Sequence, residues 1–208
     1  VDLNSVLGFE DDGPAVTSFS LKEGAKLYVD ESVGTSGSTK DEGSGVAANN
    51  DETTAGAPVG ALGYAKISGA NLFNLSVDAG SDGQDASKTK YELTLNGVNP
   101  DSGLNATAGG DILLSQEAGT GDILGKVGAT VIFRIHLDGS SGDLTLTQFQ
   151  AIQHTDITNN HDFLAQIAQG LVKAQVTVYD LDGDSATSST VDLNSVLGFE
   201  DDGPAVTS

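Results

Sequence analysis

Apolar residues recur along this chain mainly with a period of two. Val172, Ala174, Val176 and Val178 alternate with polar residues, as do Tyr91, Leu93 and Leu95 within residues 88–95. The longest alternation runs over 127–137 through Val127, Ala129, Val131, Phe133, Ile135 and Leu137. Successive side chains of a strand point to opposite faces, so each run predicts a strand with one buried face. Shorter strands are expected over 16–21, 25–29, 111–115, 144–146 and 186–193. Lys22-Glu23-Gly24 turns the first pair, and the Gly-containing stretch 138–143 closes a hairpin between 127–137 and 144–146. Residues 62–77 are more weakly patterned through Ile67, Leu72, Phe73, Leu75 and Val77. The period changes only late in the chain. A helical turn is expected over 148–154, and Asn160 or Asp162 is placed to cap a short helix carrying Phe163, Leu164, Ile167 and Leu171, interrupted by Gly170. Residues 34–58 and 96–110 read as loops, the first long, flexible and nearly without apolar anchors. The expectation is an all-β fold: an antiparallel β-sandwich, Ig-like or cadherin-like, with one short helix and long surface loops.

One stretch occurs twice. Residues 1–18 and 191–208 are the same eighteen letters, VDLNSVLGFEDDGPAVTS, at an offset of 190. This reads as one unit of a tandem array followed by the start of the next. The division expected is an inter-repeat joint over 1–14, a repeat domain over 15–190, and the opening of the following repeat over 191–208. Gly13-Pro14 after three carboxylates stops any regular element, and Pro14 makes the joint short and stiff. The neighbouring repeats of the same chain are then the first partners expected, with each chain monomeric.

Composition narrows the chemistry. Apolar residues make up 38% of the chain and there are 27 glycines, but no Cys, Met or Trp. Thiol catalysis, disulfides and cysteine metal sites are thereby excluded. Thirty acidic against nine basic residues give a formal charge of −21. Such a field repels nucleic acid and anionic lipid. Acidity with few aromatics can also mean disorder, against which the periodic apolar segments argue. No apolar run is long enough for a membrane-spanning helix, so membrane insertion is not expected.

The acidic turns hold the candidate chemistry. Calcium takes six to eight hard oxygen ligands from carboxylates, carbonyls and water. Asp180, Asp182 and Asp184 stand at alternate positions, and Gly183 permits a turn tight enough to gather them round one ion. The spacing is not that of an EF-hand, because no bidentate glutamate stands at position twelve. Glu200, Asp201 and Asp202 of the second joint could be brought to the same loop. Glu10, Asp11 and Asp12 of the first joint could share ions with Asp30 and Glu31. Clustered carboxylates at a joint repel one another, so a cation would pin what is otherwise splayed. Asp78, Asp82 and Asp85, and the pair Asp138 and Asp143, are weaker candidates, since Gly/Asp turns are common without any ion.

Catalytic readings find little support. His136, His154 and His161 lack a zinc-ligand spacing, and His136 falls out of phase with the apolar face of its strand, so it is expected to face solvent. No G-x-S-x-G elbow is present, and Gly121 and Gly125 are not placed as a phosphate loop. No enzymatic activity is expected.

Four pieces stand in a distinctive order: Val29-Asp30-Glu31-Ser32, the run TLTQFQAIQH at 145–154, the run TVYDLDGD at 177–184, and Phe199-Glu200-Asp201-Asp202-Gly203-Pro204. Together they resemble the repeat domain of giant bacterial RTX adhesins exported by type I secretion, over most of residues 1–204. The resemblance implies a stalk of calcium-dependent β-sandwich extender domains on the bacterial surface, exported unfolded and folded in extracellular calcium. Such stalks project a distal binding module during attachment and biofilm formation. Asp180, Asp182, Asp184 and the Glu-Asp-Asp joints match the family's calcium-associated acidic positions. The G-G-x-G-x-D series of RTX toxins is absent, so a parallel β-roll is not implied. The rival expectation is an adhesive module that binds a glycan or surface protein directly through residues 34–58 and 96–110. Identical weak sites in series would then act by avidity.

Overall fold

The computed structural model describes residues 12–29, 56–154 and 164–200. Fourteen strands are found among them: β1 Ala15–Leu21, β2 Leu27–Val29, β3 Gly63–Ile67, β4 Phe73–Asp78, β5 Lys90–Leu95, β6 Asp101–Asn105, β7 Asp111–Gln116, β8 Ile123–Val127, β9 Thr130–Leu137, β10 Leu144–Gln148, β11 Val172–Tyr179, β12 Ser185–Thr187, β13 Val191–Asp192 and β14 Leu197–Phe199. One short helix, α1 Gly69–Leu72, lies between β3 and β4. The fold is therefore mostly β, with several sheets and a single turn of α-helix among the described residues.

The largest sheet has the order β3-β10-β9-β8-β7-β6. A second contains β12-β11-β13, with β5 also on β11. Two pairs, β1-β4 and β14-β2, complete the set. All of these pairings are antiparallel except β14-β2, which is parallel. The inward side chains merge into one apolar cluster, to which every sheet contributes. The alternation of β11 is reproduced residue by residue, with Val172, Ala174, Val176 and Val178 buried and the residues between them partly exposed.

Several elements differ from the sequence pattern. Residues 127–137 are not one strand: Gly128-Ala129 forms a two-residue turn between β8 and β9, with Gly128 at φ 60°. Residues 96–110, read as loop, contain β6. Its inward residues are Ser102 and Leu104, and Gly103 at φ 80° breaks the register with β7, so its apolar signal is weak. Residues 148–154 form no helical turn, because Gln148 ends β10 and Ile152 bridges Ala106. The helix expected over 160–171 lies partly outside the described residues. Its described part is not helical, because the N–H and C=O of Ala165 pair with Phe199. The helix that does form, α1, falls within the weakly patterned stretch 62–77. Residues 34–55 of the expected long loop lie outside the described residues.

Residues 191–199, which the repeat assigns to the start of the next unit, are packed into this one. β13 pairs with β11 and β14 with β2. Leu193, Val196, Leu197 and Phe199 are all buried in the common core.

Two surface turns show what the weaker acidic candidates do. Asp138 accepts hydrogen bonds from the Ser140 hydroxyl at 2.7 Å and from the N–H groups of Ser141 and Ser140 at 2.8 and 2.9 Å, which together hold its carboxyl well below the usual carboxylate range. Asp143 pairs with Lys66 at 2.8 Å and accepts the N–H of Gly69 at 3.0 Å, and the lysine contact first lowers its pKa. The same pair raises Lys66. A lowered folded-state carboxyl contributes stability that is present above the ordinary carboxylate range and lost as pH falls through it. Replacing Asp143 with Asn should therefore lower the melting temperature at pH 7 by about 2–4 °C. The gap between the two proteins should close below about pH 4. A gap that widens on acidification would contradict this role.

Candidate metal centre

β11 delivers Asp180 to the end of its sheet. The turn that follows is closed by the Asp180 N–H donating to the Asp184 carbonyl at 3.1 Å, and Gly183 adopts φ 112°, which disfavours any side chain. Oδ1 of Asp180 accepts the N–H of Gly183 at 2.9 Å and of Asp184 at 2.7 Å. This folds the loop back on its first residue. Carboxylate oxygens of Asp180, Asp182 and Asp184 consequently lie within 4.8 Å of one another. Asp180 is 1% exposed, whereas Asp182 and Asp184 are exposed.

The second oxygen of Asp180 is the unusual atom. Oδ2 is buried and has no hydrogen-bond donor. A buried acceptor without a donor costs about 1–3 kcal/mol as a class, so native structures seldom leave one. Burial pushes the Asp180 carboxyl up, but a hydrogen bond shared with Asp182 and the two backbone N–H groups outweigh it, so the net direction is down. A divalent cation in contact with Oδ2 would offset the mutual repulsion of the three carboxylates. With Ca–O distances of about 2.3–2.6 Å, ligands on opposite sides of one ion stand about 5 Å apart, so a span of 4.8 Å suits three carboxylates on a single calcium, with carbonyls and water filling the remaining positions.

A second acidic turn supports this loop. Gln84 bridges Asp180, and the Leu181 N–H donates to the Gly83 carbonyl at 3.1 Å. Asp85 is used internally: it caps a 3-10 turn at Ala86–Lys88 by accepting from Ser87 and pairs with Lys88 at 3.0 Å, and these contacts lower its pKa. Asp78 accepts the Gly80 N–H at 3.2 Å. None of these joins the Asp180 cluster among the described residues. The first joint also comes to this end of β11. A methyl group on Gly13 would sit 3.6 Å from Oδ2 of Asp184, and one on Gly80 would sit 3.2 Å from the Asp12 carboxyl. Glu200 is elsewhere, donating its N–H to the Val29 carbonyl at 2.8 Å beside Tyr28, whose hydroxyl it helps to raise after burial. Of the three second-joint acids expected to bring one carboxylate near the Asp180 loop, Glu200 is not part of the three-carboxylate group. Glu10, Asp11, Asp30, Glu31, Asp201 and Asp202 lie outside the described residues.

The family model described as Domain of unknown function (DUF5801) matches residues 26–194. This chain belongs to that family. No curated protein and no solved structure matches it. The DUF5801 match contains the whole Asp180 loop and the turn that buttresses it, so this arrangement lies within the family's span.

The sequence did not single out Gly83 and Gln84 as supports for the Asp180 loop of this DUF5801 chain, since their backbone contacts arise from a register between distant segments. Nor did it mark Asp122, which is 2% exposed between β7 and β8 and pairs with Arg134 at 3.2 Å and His136 at 2.7 Å. His136 is exposed, as its phase in β9 indicates. No helix among the described residues is long and apolar enough to cross a membrane.

Proposed function

We propose that this DUF5801 domain is a calcium-stiffened structural extender: one module of a stalk on a bacterial surface adhesin, projecting a distal binding module for attachment and biofilm formation. In this reading the sheets face one another as a cadherin-like or Ig-like sandwich, and the protein is extracellular. The observation that carries the calcium assignment is the buried, donorless Oδ2 of Asp180, a residue whose carboxylate is grouped with two others. Two neighbouring facts support a role at a joint. Asp12 and Gly13, the last residues before Pro14, lie against the Gly80 turn and the Asp184 side of the loop. Residues 174–200 contain no Lys or Arg, so the loop has no basic neighbour within that stretch of the chain. A bound cation supplies the missing charge, and restrains the joint by attracting carboxylates that otherwise repel. The exact duplication of residues 1–18 favours length over chemistry.

The test is small-angle X-ray scattering on a chain carrying two successive copies, with calcium and with chelator. The expected result is a longer, narrower particle in calcium, with a maximum dimension that shrinks or broadens in distribution on chelation. Superimposable profiles would remove the stiffening role. Reproducible binding of a single copy to a glycan array would instead favour direct adhesion through residues 34–58 and 96–110.

A further inference from the structure

Residues 191–199 occupy a slot whose occupant the chain carries twice. β14 has a backbone partner on each side: Leu197, Gly198 and Phe199 pair in parallel with Leu27, Tyr28 and Val29, and Phe199 exchanges hydrogen bonds of 2.8 and 2.9 Å with Ala165. The Phe199 ring is fully buried, with its centroid 4.8 Å from that of Phe133. Gly198 is required by close packing, because a methyl group there would collide with Leu164 and Tyr28. A parallel partner for β2 cannot come from a tight turn and has to arrive from far along the chain. Here it arrives as VDLNSVLGF, the same nine letters as residues 1–9.

The other end of the duplicated stretch behaves differently. Asp12 and Gly13 pack beside Gly80 and Asp184, and Pro14 leads directly into β1, which pairs with β4. The stretch thus divides between two folded bodies: its opening nine residues complete the unit before it, and its last residues begin the unit after it. We propose that VDLNSVLGF is the closing segment of the copy that precedes it, and that the folded unit runs from Ala15 to Phe199, out of step with the sequence repeat. Wherever copies follow in tandem, each is sealed by the opening residues of the next, and the folded bodies are separated only by Glu-Asp-Asp-Gly-Pro. Five residues span at most about 17 Å, so successive units are held close. No cation enters into this arrangement, so it stands or falls separately from the calcium site.

The slot is then a docking surface for this nonapeptide, whose sequence residues 1–9 repeat. In the intact chain the copy at 191–199 holds the slot, because β13, already paired with β11, delivers it there at a high effective concentration. A weakened closing segment should let the same peptide enter in trans.

Because the two copies are identical, each provides the control for the other. In the full 208-residue chain, Phe199→Ser is expected to lower the melting temperature by about 10 °C or more, while Phe9→Ser changes it by less than about 1 °C. Should Phe199→Ser leave no folded chain to melt, Gly198→Ala against Gly8→Ala makes the same comparison with a smaller perturbation. Synthetic VDLNSVLGFE is expected to restore part of the lost melting temperature in the weakened chain, saturably, and the peptide with serine for phenylalanine should not. Equal losses from the first-copy and second-copy substitutions, or a loss only when both copies are changed, would overturn the assignment of the closing segment. Failure of millimolar wild-type peptide to raise the melting temperature would overturn the exchange.

Discussion

Calcium added to the chelated chain is expected to raise its melting temperature by about 5–10 °C, and Asp180→Asn is expected to abolish that rise. A ligand that binds only the folded state stabilises it by about 2.7 kcal/mol when its free concentration is about 100 times Kd. For a domain of this size that corresponds to the shift given. The unfolded chain has its three aspartates dispersed and offers no comparable site. Asparagine suits the test because of the two roles of Asp180. Its amide oxygen can keep accepting from Gly183 and Asp184, as Oδ1 does. Its amide nitrogen would stand in place of the donorless Oδ2 and removes one negative charge from the three-carboxylate group. The chelated variant should therefore melt no earlier than the chelated wild type, while its response to calcium disappears. Asp182→Ala should reduce the response without touching the backbone of the loop. An Asp180→Asn chain with an undiminished calcium shift would sink the site.

Phe133→Ala should cost about 3–5 kcal/mol in urea unfolding, a large fraction of the about 5–15 kcal/mol that a domain of ordinary stability possesses. Phe133 is fully buried in β9, and its ring lies directly over Gly125 of β8, where even a methyl group would strike it. It also meets Phe199 from the closing segment. The site cannot refill by rotation of a neighbour without disturbing one of these contacts, so the cavity term adds to the lost burial. Because the two rings touch, the double variant Phe133→Ala with Phe199→Ala should lose less than the sum of the single losses. A cost below about 1 kcal/mol for Phe133→Ala would mean that the ring does not anchor the core.

The sequence was most legible where local chemistry is sufficient. β11 and β5 alternate cleanly because one face of each meets the core, and the Gly183 turn follows from residues adjacent to one another. Alternation misled at Gly128-Ala129 for a physical reason: a two-residue turn preserves the phase of the pattern, so Val127, Ala129 and Val131 keep time across a reversal of direction. β6 was missed because its buried face is Ser102 and Leu104 with Gly103 between them. The helix expected around Leu164 and Ile167 failed because Ala165 finds its hydrogen-bond partner in Phe199. The candidate site was similarly divided. Alternate aspartates and a glycine named Asp180, Asp182 and Asp184, but not which carboxylate would be buried, nor that Glu200 would stand outside the three-carboxylate group.

The sequence by itself determined the β character of the chain, the duplicated stretch, the excess of negative charge and the identity of the acidic loop. These rest on periodicity, identity and composition, all of which act over a few residues or over the whole chain at once. Only the tertiary structure decided where α1 lies, which of the acidic turns is occupied by its own serines and lysines, and that residues 191–199 belong to the core of the unit before them. Strand pairing is selected by which distant edge a segment can reach and bury, and no local pattern records that choice.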